Sequence, residues 1–269
     1  MLRLQSYGPV TRLQFSRSLL GRPVHWVSAY YVDGLLVDSG LYYTRNELVA
    51  QARALSVGQV FCTHQHEDHT GGVGALYRRL GLVPQAGADT VPHLIRPPAI
   101  HLYRLLVWGR AEATQAQAVT HVETDRYHFE VIPTPGHSPD HTVLYEPRLG
   151  WVFSGDLFIH EQAKYIRADE DLAQLVASLQ RVANLDPQRL FCGHLGMVET
   201  PRDAIERKLR YWEGLRGKMQ DLRHQGRPLA DISQSILGPE GAMTRFSRGH
   251  LSKLNLTRAL VNLERPLCS

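Results

Sequence analysis

Apolar and polar positions alternate with a period of two through the first part of the chain, the signature of half-buried strands. LRLQSYG, VTRLQFS, VHWVSAYYVDG and LLVDSG are separated at Gly8-Pro9, Gly21 to Pro23 and Asp33-Gly34. Asp33-Gly34 between two apolar runs is a hairpin signal. The period then lengthens. Leu48, Val49, Ala52 and Leu55 predict a helix over 44–57, followed by a buried strand over 59–63. Thr70 to Leu80 reads as the next helix, with Gly71 and Gly72 allowing close packing. Residues 82–126 are the least regular. VPHLIRPPAI predicts an extended piece ending at a proline pair, and Ala99 to Trp108 a helix. YHFEVI, TVLYE and WVFSGDLF predict strands, the last two joined as a hairpin by a turn at Pro147 to Gly150. Leu172, Leu175, Val176, Leu179 and Val182 mark an amphipathic helix over 171–183, and Leu190-Phe191-Cys192 another strand. A long charged helix over 201–224 carries Pro201 near its start, and shorter helices follow over 228–237 and 249–263. No repeat or low-complexity linker interrupts the pattern.

Composition adds limits. The 269 residues are 43% hydrophobic and 21% charged, ordinary values for a globular chain. That length fits one large α/β domain, or one with a small helical appendage. No apolar run is long enough to span a bilayer, and MLRLQSYGPVTRLQFSRS lacks a signal-peptide core. Cys62, Cys192 and Cys268 are too few and too scattered for a disulfide framework. A cytoplasmic protein is expected. The net charge of +4 suits an anionic substrate or nucleic acid. The basic residues are nevertheless spread out with no run like a nucleic-acid arm, which favours a plain solvated surface.

The chemistry concentrates in residues 59–72, QVFCTHQHEDHTGG. A buried strand runs into a polar loop holding His64, His66, Asp68 and His69. Imidazole and carboxylate are the ligands of borderline metals. Residues two apart in extended backbone point the same way, so His64 and His66 can share one ion. Asp68 and His69 lie past the bend, at the first turn of the next helix, within reach of a second. A histidine that merely caps or solvates a loop is the plain alternative. Three with an Asp argue against it.

THQHEDHTGG resembles the His-x-His-x-Asp-His motif of the metallo-β-lactamase superfamily. Further stretches resemble its later motifs, in the family's order, over most of residues 25–200. In PTPGHSPDH a rigid Pro133, Pro135, Gly136 turn presents His137, which matches the third ligand of the first metal site. His141 also matches that pattern, as a hydrogen-bonding residue. Gly155-Asp156 at the end of an apolar strand matches the carboxylate that bridges both metals. Leu190-Phe191-Cys192-Gly193-His194 ends in the matching last ligand. Cys192, pointing the opposite way from its neighbours on the strand, is expected to be a buried thiol without a metal bond. Asp38 ends an apolar strand where the family usually has an Asp. It reads either as a turn residue or as one that steadies the metal loops.

The resemblance implies a four-layer αββα sandwich of the metallo-β-lactamase type over residues 1–200. The C-terminal helices of 201–269 are expected to pack on the same domain. It implies two divalent ions, zinc first, with iron or manganese also suited to such ligands. His64, His66 and His137 would hold one, Asp68, His69 and His194 the other, with Asp156 between. Asp68 would also act catalytically, orienting the attacking hydroxide or passing its proton on. The implied reaction is hydrolysis of an ester, thioester or lactone of a small molecule by a hydroxide shared between two cations. A phosphodiesterase or endoribonuclease of the same superfamily is the alternative, and a mono-iron persulfide dioxygenase a weaker one. After Asp156 the chain reads LFIHEQAKYIR, where glyoxalase II has a Gly-Cys-Gly-Arg stretch, and after His194 it reads LGMVET, without Glu-Tyr-Thr.

Tyr165 and Arg167 stand at a distance from Asp156 that suits a substrate contact, though a surface pair fits as well. Arg248, His250 and Lys253 invite the same reading more weakly. Tyr103, Leu106 and Trp108 suit either a substrate mouth or the core. His93, His101, His121 and His128 lack a ligand partner at short spacing and read as structural or exposed. No stretch marks an oligomer interface, although exposed helices leave room for a homodimer.

Overall fold

A computed structural model describes residues 1–267, so Cys268 lies outside the described residues. The chain opens with strands β1 (Leu2–Tyr7), β2 (Val10–Leu19), β3 (Arg22–Val32) and β4 (Leu35–Val37), as the period of two predicts. Helix α1 (Arg45–Ala54) leads into β5 (Gln59–Cys62). The helix expected over 70–80 is broken: α2 (Glu67–Thr70) and α3 (Val73–Leu80) are separated at Gly71-Gly72. A Cβ on Gly72 would stand 2.2 Å from Leu48 Cδ2 and 2.4 Å from the Ser39 carbonyl, so close packing of α1 fixes the break. β6 (Gln85–Ala86) comes next. The stretch expected to be extended then forms α4 (Val91–Ile95), because Pro92 sits in the first turn, where a missing N–H costs nothing. α5 (Leu102–Val107), β7 (Gln117–Ala118), β8 (His121–Glu123) and β9 (His128–Pro133) complete the middle.

β10 (Thr142–Glu146) and β11 (Trp151–Gly155) form the expected hairpin. They are followed by β12 (Ile166–Arg167), α6 (Leu172–Ala183), β13 (Arg189–Cys192) and β14 (Gly196–Val198). The C-terminal stretch holds α7 (Pro201–His224), α8 (Leu229–Leu237), α9 (Ala242–Phe246), β15 (Leu251–Ser252) and α10 (Lys253–Val261). The small pieces β12, β14 and α9 lie outside the sequence expectations, being too short to carry a period, and the helix expected over 249–263 starts only at Lys253, because Leu251–Ser252 forms β15 and Ser252 caps α10.

One sheet has the order β1-β2-β3-β4-β5-β6-β7 and the other β14-β13-β11-β10-β9-β8, and β12 pairs with β15 apart from both. Alternation along the strands builds the layers. Phe61, Phe153 and Phe191 face the space between the sheets, with Phe153 stacked on Phe191 at 4.8 Å. Val60 and Cys62 turn outward beneath α1 and α3. Val152, Leu190 and Cys192 turn outward into a core shared with α6, α7, α8 and α10. The result is the αββα sandwich. No helix of the described residues is long and apolar enough to cross a membrane.

Topology sets the site. β4 and β5 are parallel, as are β11 and β13. Their carboxyl ends therefore open on one edge, where α/β sheets receive ligands. Bonds between the sheets register the two halves there. The Thr142 N–H donates to the Thr63 carbonyl at 2.9 Å, and the Ser28 N–H to the Gly193 carbonyl at 2.7 Å.

Candidate metal centre

Two groups of side chains meet at that edge. His64, His66 and His137 form one; Asp68, His69, Asp156 and His194 form the other. Within each group the ligand atoms lie within 4.8 Å of one another. All are buried except His194, which is half-buried. Asp156 stands between the groups. Its Oδ2 is 3.2 Å from His137 Nε2, and its Oδ1 is 3.2 Å from both His69 Nε2 and His194 Nε2. Asp68 Oδ2 lies 3.7 Å from His194 Nε2.

The backs of these rings are pinned. Asp38 Oδ2 is 2.7 Å from His69 Nδ1, while Oδ1 accepts from the Thr63 N–H at 2.9 Å. Asp38 takes a positive φ of 64°, a conformation that Asp tolerates better than most side chains. His194 Nδ1 donates to the Trp26 carbonyl at 3.2 Å, and His64 Nδ1 sits 3.0 Å from the Thr63 hydroxyl. Each contact turns an Nε2 toward the common centre, as ligating imidazoles require. His141 lies differently. Its Nε2 accepts from the Asp156 N–H at 3.2 Å and its Nδ1 faces the Thr134 hydroxyl at 2.8 Å, so neither nitrogen is left for an ion. Gly193 has no room for a side chain, since a Cβ there would lie 2.7 Å from His69 Cε1 and 2.9 Å from Asp156 Oδ1.

The electrostatics suit a cation. Burial holds His64 and His66 well below the usual imidazole range, which keeps their lone pairs free. Burial opposes charge on His69 too. There Asp156, Asp38 and Asp68 outweigh it and raise the pKa well above the ordinary value. Burial likewise opposes charge on Asp156, but His194, His69 and His137 overcome it and hold that carboxyl well below its ordinary range. The centre thus draws positive charge. His64 Nε2, His69 Nε2 and Asp156 Oδ1 are buried without a hydrogen-bond partner. Each such atom costs about 1–3 kcal/mol unless something satisfies it. Divalent cations fit this donor set.

Several supports escaped the sequence reading. Glu67 and Arg104, both buried, form a two-pronged ion pair at 2.6 and 2.9 Å directly beside the ligand loop. Asp140 Oδ2 accepts from the Gln65 N–H at 2.8 Å and so steadies the turn between His64 and His66. The run Glu67-Asp68 hides its non-ligand partner because Arg104 lies 37 positions away. Arg167 reaches the centre, its Nη2 donating to the His137 carbonyl at 2.7 Å. Tyr165 lines the adjoining cavity, together with Tyr103, Leu106 and Trp108. His250 bonds Tyr103 Oη at 2.8 Å, whereas Lys253 is turned away, donating to the Leu237 carbonyl at 2.7 Å. Arg248 is not among the residues lining the cavity. His93, His101, His121 and His128 stand outside both ligand groups. Cys192 is buried, with its thiol 2.8 Å from the Phe158 carbonyl.

A family model described as the metallo-beta-lactamase superfamily matches residues 25–194. The chain belongs to this superfamily. Among similar proteins, a beta-lactamase-like protein 2 homolog of Drosophila melanogaster is 30% identical over 186 residues, 64% of this chain and 58% of the relative. An atrochrysone carboxyl ACP thioesterase of Aspergillus fumigatus is 26% identical, covering 80% of this chain and 65% of its own. A hydroxyacylglutathione hydrolase of Aeromonas hydrophila is 30% identical over 90% of this chain and 89% of its own. For the Drosophila and Aspergillus relatives, then, the match spans less than two thirds of their length. A metallo-beta-lactamase family protein from Thermus thermophilus has the same fold, with a TM-score of 0.69 at 18% identity over 94% of this chain and 92% of that one.

Proposed function

We propose that this protein, a metal-dependent hydrolase of the metallo-beta-lactamase superfamily, cleaves a thioester of a small molecule with two divalent cations, zinc the first candidate. The observation that carries the reading is Asp156, whose two oxygens face His137 of one ligand group and His69 and His194 of the other at 3.2 Å. His64, His66 and His137 hold one cation in this reading. Asp68, His69 and His194 hold the other, with Asp156 shared. Bound there, such ions supply Lewis acidity, polarising a carbonyl and bringing the pKa of water toward neutrality. The chain's own residues do the rest. Asp38 and the Trp26 carbonyl keep His69 and His194 in the ligating orientation. Asp68 takes the proton of the attacking water and returns it to the departing thiolate. Arg167, anchored on His137, and Tyr165 contact the substrate. The C-terminal part from residue 201 serves the same unit as residues 1–200, with α7, α9 and β15 closing the cavity over the centre.

The thioester is favoured by the names of the Aspergillus and Aeromonas relatives. Purified protein depleted of metal and re-titrated with zinc, iron or manganese is expected to take up two equivalents per chain. It should then cleave a thioester faster than a lactone, an aryl ester, a phosphodiester or a short RNA, with Asp156→Ala as background. One iron per chain with no hydrolysis would instead favour oxygenation. A phosphodiester or RNA as the best substrate would move the protein to the nuclease side.

A further inference from the structure

We propose that the cavity beside the metal centre is a chamber for a long apolar acyl chain, so that the thioester cleaved here carries a bulky hydrocarbon-like acyl group. This inference rests on the thioester reading above. The cavity holds about 810 Å³, the size that receives a drug-sized ligand. Asp68, His137, Asp156 and His194 line it, so whatever fills it reaches the reacting centre. Much of the remaining wall is hydrocarbon drawn from unconnected segments: Leu157 and Ile159 after β11, Leu175 of α6, Trp212 of α7, and Met243 and Phe246 of α9.

Helix α9 is the telling element. It buries none of its five residues, and Met243 and Phe246 are left 43% and 46% exposed. A helix this short gains little from its own hydrogen bonds and needs apolar contact to persist. Its apolar side chains line the cavity, so an apolar occupant supplies that contact. Leu19 of β2 and Leu106 of α5, which also line the cavity, are likewise 57% and 46% exposed.

The buried cations of the wall already have partners. Arg104 is paired with Glu67. The Lys208 ammonium donates to the His160 carbonyl at 2.8 Å and lies 4.4 Å over the Trp212 ring. A small hydroxyacyl group would leave most of this surface wet. A chain of methylenes dehydrates it, each buried CH₂ tightening binding by roughly fourfold.

The test separates the chamber from the chemistry. Straight-chain carboxylates from butanoate to dodecanoate are titrated into metal-free protein by calorimetry. The dissociation constant is expected to fall roughly threefold to fourfold per methylene until the chamber is full, with a negative heat-capacity change. Phe246→Ser and Leu106→Ser, at exposed positions of the wall, should each weaken decanoate several-fold more than butanoate, flattening the chain-length series. In parallel, zinc-loaded protein is given N-acetylcysteamine thioesters of increasing acyl length, with kcat/KM expected to rise in the same pattern. A chain-length series in binding with no thioester cleaved supports the chamber and overturns the thioester reading. A flat series in binding overturns the chamber, whether or not acetyl thioester is hydrolysed. Affinity that follows the thiol part of acetyl thioesters, glutathione or coenzyme A, and ignores acyl length also overturns it.

Discussion

The ligand centre and the chamber wall share one cavity and are built in opposite ways. At the centre, side chains are fixed twice over. His69 is held behind by Asp38 and faces Asp156, and His194 is held by a carbonyl and faces the same carboxylate. In the wall, short pieces of two to five residues (β12, α9, β15) meet; Ile166 and Ser252 are buried, but Met243 and Phe246 of α9 are left exposed. The difference teaches where specificity and chemistry reside. Preorganised polar geometry is costly to alter, whereas an apolar wall changes shape at little cost in stability.

The comparison breaks most completely at Asp156. Asp156→Ala removes the carboxylate common to both ligand groups. Hydrolysis is expected to fall to background, and bound metal, measured by atomic absorption, to fall with it. Glu67→Gln comes next. It leaves Arg104, 5% exposed, without its counter-charge, and is expected to cost about 3–5 kcal/mol in a denaturant titration. Loss of metal at a stability still sufficient for folding would show that the ion pair also orders the ligand loop.

Asp38→Ala sharpens the contrast. Removing the partner of His69 Nδ1 is expected to weaken metal binding about 10–100-fold in a competition with a chelator, with little change in the wall. An unchanged affinity would mean that packing alone aims the ring.

The wall gives the smallest effect. Burial brings the Lys208 ammonium down from 10.5 to about 8. The folded chain therefore releases this proton before the unfolded chain does, and below about pH 8 the buried charge costs stability in full. Lys208→Met is expected to be more stable at pH 7 by about 1–3 kcal/mol. That gap should narrow as the pH climbs from 8 toward 10.5, and thermal melts across this range check it.

The same contrast governed what was legible. The centre is written locally. Strand-end motifs such as Thr63-His64-Gln65-His66 and Gly155-Asp156 carry their ligands within a few residues, and parallel pairing brings the strand ends together. The alternating Val60-Phe61-Cys62 likewise announces a strand covered on both faces. The break at Gly71-Gly72 was not visible, because it depends on Leu48 and Ser39. VPHLIRPPAI reads as extended from its sequence, yet α4 forms there because Pro92 falls in a first turn, where it is tolerated. The Glu67–Arg104 pair and the chamber wall join segments far apart in sequence. No period or spacing marks such meetings.

One feature of the wall bears on timing. β12 and β15 pair through two register positions, extended by the Ala168 N–H donating to the His250 carbonyl at 2.8 Å and by Asp169 Oδ1 3.3 Å from His250 Nε2. Asn255 clamps the turn beside them, donating to the His250 carbonyl at 2.9 Å and the Gly249 carbonyl at 3.1 Å. A pairing this short opens more often than the large sheets do. Its amides are expected to exchange with deuterium well ahead of those of Phe61 and Phe153. Arg167, which bonds the His137 carbonyl at 2.7 Å, joins this short pair to the ligand centre, so the rhythm of the rim is felt at the metal ligands.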